Sequence, residues 1–350
     1  MAKTKERIFY FDELRTLAII FVVLIHICKH FAHAEVAHSL FWTFSSSLEA
    51  FGNMGVPLFF MISGALLLNR SYELKSFFKK RYSRVLIPFA FWAVIYLLFK
   101  FFYLGYTQNL YNVYRIIFFD GFVWFIWTLL GIYLFIPIIN AFIQQYGIKG
   151  CEYFLAIWLF TVILNTFGFY PIRNFELSYF ARFLGYFVLG YYLSNKKFNI
   201  GNKSMMIVGA AIFLISLAIS MYCITNKILF KDYYWTLIPL FESIGLYLLV
   251  EYHAKYSEGN KGSVLSRIYY FIKDSKLGRI IFSISICSYG IFLTHYFPIW
   301  VLLKLDKTIP IFARNPFKWI PFLLVMVLLF SWGLTFLLSK IPYLKKISGV

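Results

Sequence analysis

The chain is short of charge, and above all of acid. Only 14% of its 350 residues are charged, and only 15 are Asp or Glu, while 61% are hydrophobic. That balance excludes an ordinary soluble domain. Paired cysteines are also lacking. Cys28, Cys151, Cys223 and Cys287 are scattered with no CxxC among them, so they read as small buried apolar residues rather than a disulfide framework or a zinc site. No small-residue cleavage site closes the first apolar run, and residues 8–28 are therefore expected to stay as a first membrane span. No segment between apolar runs exceeds roughly 30 residues, too few for an extramembrane domain of ordinary size. Residues 1–350 are expected to form one membrane domain, with no internal repeat and no low-complexity tract beyond the apolar bias.

What the chain has instead is apolar runs of bilayer length, each of ~20 residues. Ten are expected, near 8–28, 48–68, 85–104, 122–142, 152–168, 178–194, 205–225, 234–252, 279–302 and 318–339. The fold class is an all-α integral membrane protein, a polytopic bundle of about ten transmembrane helices. The 34 basic residues give a net charge of +19, which in a soluble protein would suggest nucleic acid. Here the excess sits in short loops, and no nucleic-acid partner is expected. With the N-terminus inside, about 22 Lys and Arg fall on inner segments and about 10, including Lys100 at a span end, on the other side. The bias predicts both termini in the cytoplasm, and the basic loops face membrane lipids.

Two ionisable residues stand inside the first run. Arg15 and His26 are eleven positions apart, which at about 100° per residue puts them within roughly 20° of one helix face and about 16 Å apart along the axis. Inserting an arginine near a helix centre costs on the order of 2.5–3.5 kcal/mol, so such groups usually line a pathway or a site. Asp12, Arg15, Ile19, Val22 and His26 form one stripe at spacings of three and four, and Asp12 is placed to pair with Arg15. The plainer alternative is a snorkelling arginine and a histidine bonded to a neighbouring backbone. His30 and His33 extend the spacing to H-x3-H-x2-H, but they fall at or beyond the span end, and no metal is expected.

Further along, Pro57 frees a backbone carbonyl in the second run, and Ser63-Gly64-Ala65 makes a close-packing patch. The next loop is the most basic, ending Lys79-Lys80-Arg81-Tyr82-Ser83-Arg84. Arg81 and Arg84, three apart, can face one side of a helix start and grip phosphates, or simply anchor the loop on anionic lipid. Trp124 and Trp127 suit an interfacial belt. Glu242 is the one acid expected at mid-depth, and His295 falls toward the outer half of the ninth run.

In combination these segments resemble the type 3 membrane acyltransferase family. Glu13-Leu14-Arg15-Thr16-Leu17-Ala18 running to His26 is similar to its arginine-to-histidine first helix, and Phe59 to Leu68 to its second-helix motif. Arg81-Tyr82-Ser83-Arg84 matches its R-x-x-R, and Trp124-Phe125-Ile126-Trp127 with Tyr133 and Pro137 resembles its W-F…Y…P stretch. Gly185 to Leu193 and the run ending in His295 resemble later segments. The branch it looks most like is the surface-polysaccharide O-acetyltransferases that carry no attached hydrolase-like domain.

The resemblance implies transfer of an acetyl or short acyl group from acetyl-coenzyme A, or a similar acyl-coenzyme A, to a hydroxyl of a cell-envelope glycan or its lipid-linked precursor. It implies a multi-pass protein of a prokaryotic plasma membrane, with no bound cofactor. Arg81 and Arg84 would hold the donor, with Arg15 deeper. His26 would be the general base, or the carrier of an acyl-imidazole intermediate. Ser63, Trp124, Tyr133, Glu242 and His295 are acceptor-side or structural candidates. From the residues alone, a transporter or flippase of lipid-linked sugars is the alternative, since ionisable groups and a proline-broken span would serve it too.

Overall fold

Strong apolar periodicity with no strand-like alternation produces helices throughout. The computed structural model describes residues 7–34, 39–121, 123–168, 177, 182–226, 228, 236–308 and 315–350, and no strand occurs among them. The helices are α1 (Phe9–Ala34), α2 (Leu40–Gly52), α3 (Gly55–Leu67), α4 (Leu74–Leu98), α5 (Leu110–Phe118), α6 (Val123–Thr166), α7 (Phe183–Asn195), α8 (Asn202–Thr225), α9 (Leu237–Gly259), α10 (Val264–Asp274), α11 (Lys276–Thr294), α12 (Tyr296–Thr308) and α13 (Pro316–Lys340). A π-helical turn, Phe99–Tyr103, extends α4. This is a helical, multi-pass membrane protein.

Ten separate spans are not what the helices supply. Six among the described residues are long and apolar enough to cross a bilayer: Leu40–Leu67, Leu74–Tyr103, Val123–Thr166, Asn202–Thr225, Lys276–Thr294 and Pro316–Lys340. Helices α1 and α9 match these in length, at 26 and 23 residues, and carry ionisable groups within the bundle. The fourth and fifth expected runs share one helical stretch of 44 residues, broken only by a left-handed Gly147 (φ 59°, ψ −142°). The sixth run yields the 13-residue α7, short of the ~20 residues a crossing needs, and its residues 178–181 lie outside those described, as do 234 and 235 of the eighth.

Proline explains two further departures. Pro57 falls in the first turn of α3, where its missing N–H is no loss, and the chain breaks at Asn53–Met54 so that α2 and α3 run in tandem. Pro298 does the same for the ninth run. It cannot donate to the Thr294 carbonyl, and the expected span 279–302 is interrupted at His295 between α11 and α12.

The close-packing patch is real. A Cβ on Gly64 would stand 1.6 Å from the Phe187 carbonyl oxygen, and one on Gly190 would stand 1.9 Å from that of Met61. Helices α3 and α7 therefore cross backbone to backbone, as small residues permit in membranes. Helix α1 runs through the centre of the bundle, with Leu14, Ala18, Ile19 and Val23 fully buried. It lies alongside α11 in the same direction: Arg15 and Thr16 face Ser285 and Ile281, and His26 faces His295.

Candidate active site

The two ends of the α1–α11 seam differ in chemistry. At the Arg15 end, an Arg15 N–H donates to Ser285 Oγ at 3.4 Å, and Ser285 donates to Asp12 Oδ1 at 2.7 Å. The expected Asp12–Arg15 pair is replaced by another. Arg7 holds both Asp12 oxygens at 2.5 and 2.6 Å, so Arg15 reaches that carboxylate only through Ser285. The fork-to-fork pair takes the carboxylate face that a second guanidinium would need, and Arg15 makes no direct ion pair among the described residues.

The R-x-x-R arginines come to the same mouth. Arg81 is half-buried and Arg84 exposed on α4, and neither makes an ion pair among the described residues. Arg84 acts electrostatically on Arg15, and both Arg81 and Arg84 act on Tyr133. Tyr133 is buried edge-on to Phe77, while Tyr82 is tied to α6 by a hydrogen bond to the Leu130 carbonyl at 2.9 Å. Sequence reasoning missed a third arginine here. Asn140 accepts from the Arg70 backbone N–H at 3.1 Å and donates to the Arg70 carbonyl, fixing the loop before α4. Burial pushes the Tyr72 hydroxyl up from its usual range, while Arg70 and then Arg81 pull it down.

At the other end rings are held by short hydrogen bonds. His26 Nδ1 and Tyr296 Oη share a hydrogen bond at 2.7 Å, and the two rings lie 4.6 Å apart. His295 is fully buried with its ring 5.2 Å from that of His26. Its Nδ1–H donates to the Phe292 carbonyl at 2.7 Å, and since a carbonyl only accepts, the lone pair of neutral His295 must sit on Nε2. Tyr96 donates to the Leu293 carbonyl at 2.7 Å, so α4 supports the helix break that places both rings. Sequence reasoning named both histidines but missed Tyr296. Its one local signal was the proline two residues on.

The remaining candidates make contacts of their own. Ser63 bonds back to the Phe59 carbonyl at 2.8 Å within its own helix, a structural use. Trp124 stacks on Phe183 at 5.3 Å. Glu242 is fully buried, with the Ser220 side chain of α8 beside it. It is not alone as a buried acid. Glu251, also fully buried, takes Lys255 at 2.9 Å and the Tyr10 hydroxyl at 3.5 Å. No three metal-ligating side chains converge among the described residues, and the His33 side chain lies outside them. A groove of about 430 Å³ between α4, α12 and α13, walled by Trp92, Phe297, Met326 and Phe330, is apolar and offers nothing to activate a hydroxyl.

An arginine mouth and a half-buried histidine at opposite ends of one helix seam suit a reaction whose co-substrate is anionic at one end and reactive at the other. The model of an acyltransferase domain matches residues 8–336. The chain belongs to the type 3 membrane acyltransferase family. No curated protein and no solved structure gives a significant match. Family membership makes this a membrane acyltransferase, and it favours group transfer over the transporter reading.

Proposed function

We propose that this acyltransferase moves an acetyl or short acyl group from a coenzyme A thioester to a hydroxyl of a cell-envelope polysaccharide or its lipid-linked precursor. The observation that carries the proposal is the shared seam: Arg15 and His26 lie on one face of α1, about 16 Å apart, each against α11. Coenzyme A is built to that plan, with phosphates at one end and a thioester on a long arm. Arg81 and Arg84 hold the phosphates at the mouth, Arg15 stands further in, and the arm runs along the seam toward His26.

The acting tautomer of His26 is the one whose Nδ1–H donates to the Tyr296 oxygen, leaving the Nε2 lone pair for the acceptor. That nitrogen takes the hydroxyl proton as the acceptor oxygen adds to the thioester carbonyl. Collapse of the tetrahedral adduct breaks the C–S bond, and the imidazolium returns the proton to the departing thiolate. One ester and one free thiol result, with nothing else consumed.

The positive-inside bias supports both termini and the arginine mouth in the cytoplasm of a prokaryotic cell. The acceptor then meets His26 toward the opposite face. Purified protein in sealed vesicles, with labelled acetyl-coenzyme A on the arginine side and candidate glycans only on the other, should yield glycan ester and free thiol. Esterification only when both substrates share the arginine side would overturn the through-membrane scheme. No thioester consumption with any glycan would overturn the donor assignment.

A further inference from the structure

Lys100 looked from the sequence like a topology charge at a span end; instead it is buried. The π-helical turn that ends α4 carries the side chain inward, where only 6% of it stays exposed, into an ion pair with Asp120 from the loop between α5 and α6. Single π-turns concentrate at functional sites. The Lys100 ammonium also lies 4.5 Å from the centre of the Trp300 ring and 5.2 Å from that of Tyr106. Trp300 in turn packs against Tyr296 at 5.1 Å, and Tyr296 holds His26. The loop closes the circuit, because a Cβ on Gly121, next to Asp120, would stand 3.3 Å from the Tyr296 hydroxyl. A continuous track thus leads from the His26 ring to Tyr106, which is 46% exposed.

Its chemistry is specific. Asp120 forms an ion pair with Lys100 and accepts, through Oδ1, from the Gly121 N–H at 3.2 Å. An ionised carboxylate offers about four lone-pair directions, so Asp120, with 17% of its side chain exposed, keeps capacity for further donors. The exposed Tyr106 ring beside a carboxylate with spare acceptors matches a molecule that has an apolar C–H face and hydroxyls at its edge. We propose that Lys100, Asp120, Tyr106 and Trp300 form the acceptor subsite, which binds a sugar ring with one hydroxyl directed at His26. The subsite rests on the acyl-transfer reading above and names the residues that would select the acceptor. The buried ion pair fixes the carboxylate, and the rings set the plane of the sugar.

The test separates glycan recognition from chemistry. Wild-type protein in detergent, without donor, is examined by saturation-transfer NMR against neutral di- to tetrasaccharides of hexoses, hexosamines and deoxyhexoses. Tyr106→Ala removes an exposed ring at little risk to folding. The double variant Lys100→Met/Asp120→Asn removes the carboxylate without leaving a lone buried charge. Both are expected to weaken the best oligosaccharide about tenfold or more, with acetyl-coenzyme A affinity within about twofold of wild type. Unchanged oligosaccharide affinity in both variants, or no binding to wild type by any member of the panel, overturns the subsite. Failure of the parent reading looks different: wild type binds the glycan and forms no ester from acetyl-coenzyme A.

Discussion

The two ends of α1 are built by opposite rules. Around Arg15 the short bonds join Arg7 and Ser285 to Asp12, and the Arg15 guanidinium is left with a long 3.4 Å contact to Ser285 and with Arg7 and Arg84 near it despite their like charge. Around His26 the bonds are 2.7 Å and His295 is fully buried, with a helix break held in place by Tyr96. Arg81 and Arg84 make no ion pair among the described residues, and on the proposed reading such groups are favourable once a polyanion arrives and supply binding. A ring held by short bonds loses little freedom when the reaction begins, so it supplies position. Substitutions at the two ends should therefore fail in different kinetic parameters.

The largest effect belongs to His26→Ala. Removing the base should lower glycan ester formation by about 10²–10⁴-fold while acetyl-coenzyme A affinity, read by equilibrium binding, stays near wild type. Wild-type turnover in this variant would erase the comparison by returning His26 to packing.

Next comes the mouth. Arg81→Gln/Arg84→Gln should raise the donor KM by about 10–100-fold and leave kcat at saturating donor within about threefold, because contacts remote from the thioester contribute mainly uniform binding. Donor affinity should also lose part of its salt dependence, since these groups are exposed enough to be screened. A fall in kcat with an unchanged donor KM would place chemistry at the wrong end of α1.

How much of this was legible follows from how local each signal was. Arg15 and His26 lie on one helix, and a period of 3.6 residues is enough to align them. The Ser63-Gly64-Ala65 patch announced a close crossing by composition, although its partner, Gly190 with Phe187 on α7, lay far along the chain. The Arg7–Asp12 pair displaced the expected Asp12–Arg15 pair because a flexible residue ahead of the helix can reach back, which spacing inside the helix does not reveal. Lys100 was misread because its burial depends on Asp120, across α5. Hydropathy also ran through His295, since one proline barely alters a window average yet interrupts the helix.

Tyr296→Phe sharpens the comparison on the side where precision matters. The ring and its packing remain, and only the oxygen that meets His26 Nδ1 is lost. We expect kcat to fall about three- to tenfold with donor KM unchanged, the size of one hydrogen bond in the transition state. The pH–rate profile should shift with it, since Tyr296 bears on which imidazole nitrogen carries the proton. A donor KM that rises instead would mean that the two ends of α1 are not independent.

The smallest effect is expected at Glu242, the acid that the sequence singled out. A buried carboxyl in a membrane bundle is a functional candidate by default, but its surroundings here argue otherwise. Ser220 lies beside it, and the backbones of α8 and α9 approach closely where Gly245 meets Phe213, a different seam from that of α1 with α11. Glutamine preserves the shape and removes only the acid. Glu242→Gln should therefore keep kcat and both KM values within about twofold, with a shift in melting temperature of only a few degrees. A tenfold loss of turnover at unchanged melting temperature would bring the α8–α9 pair into the reaction, and the two ends of α1 would no longer account for it between them.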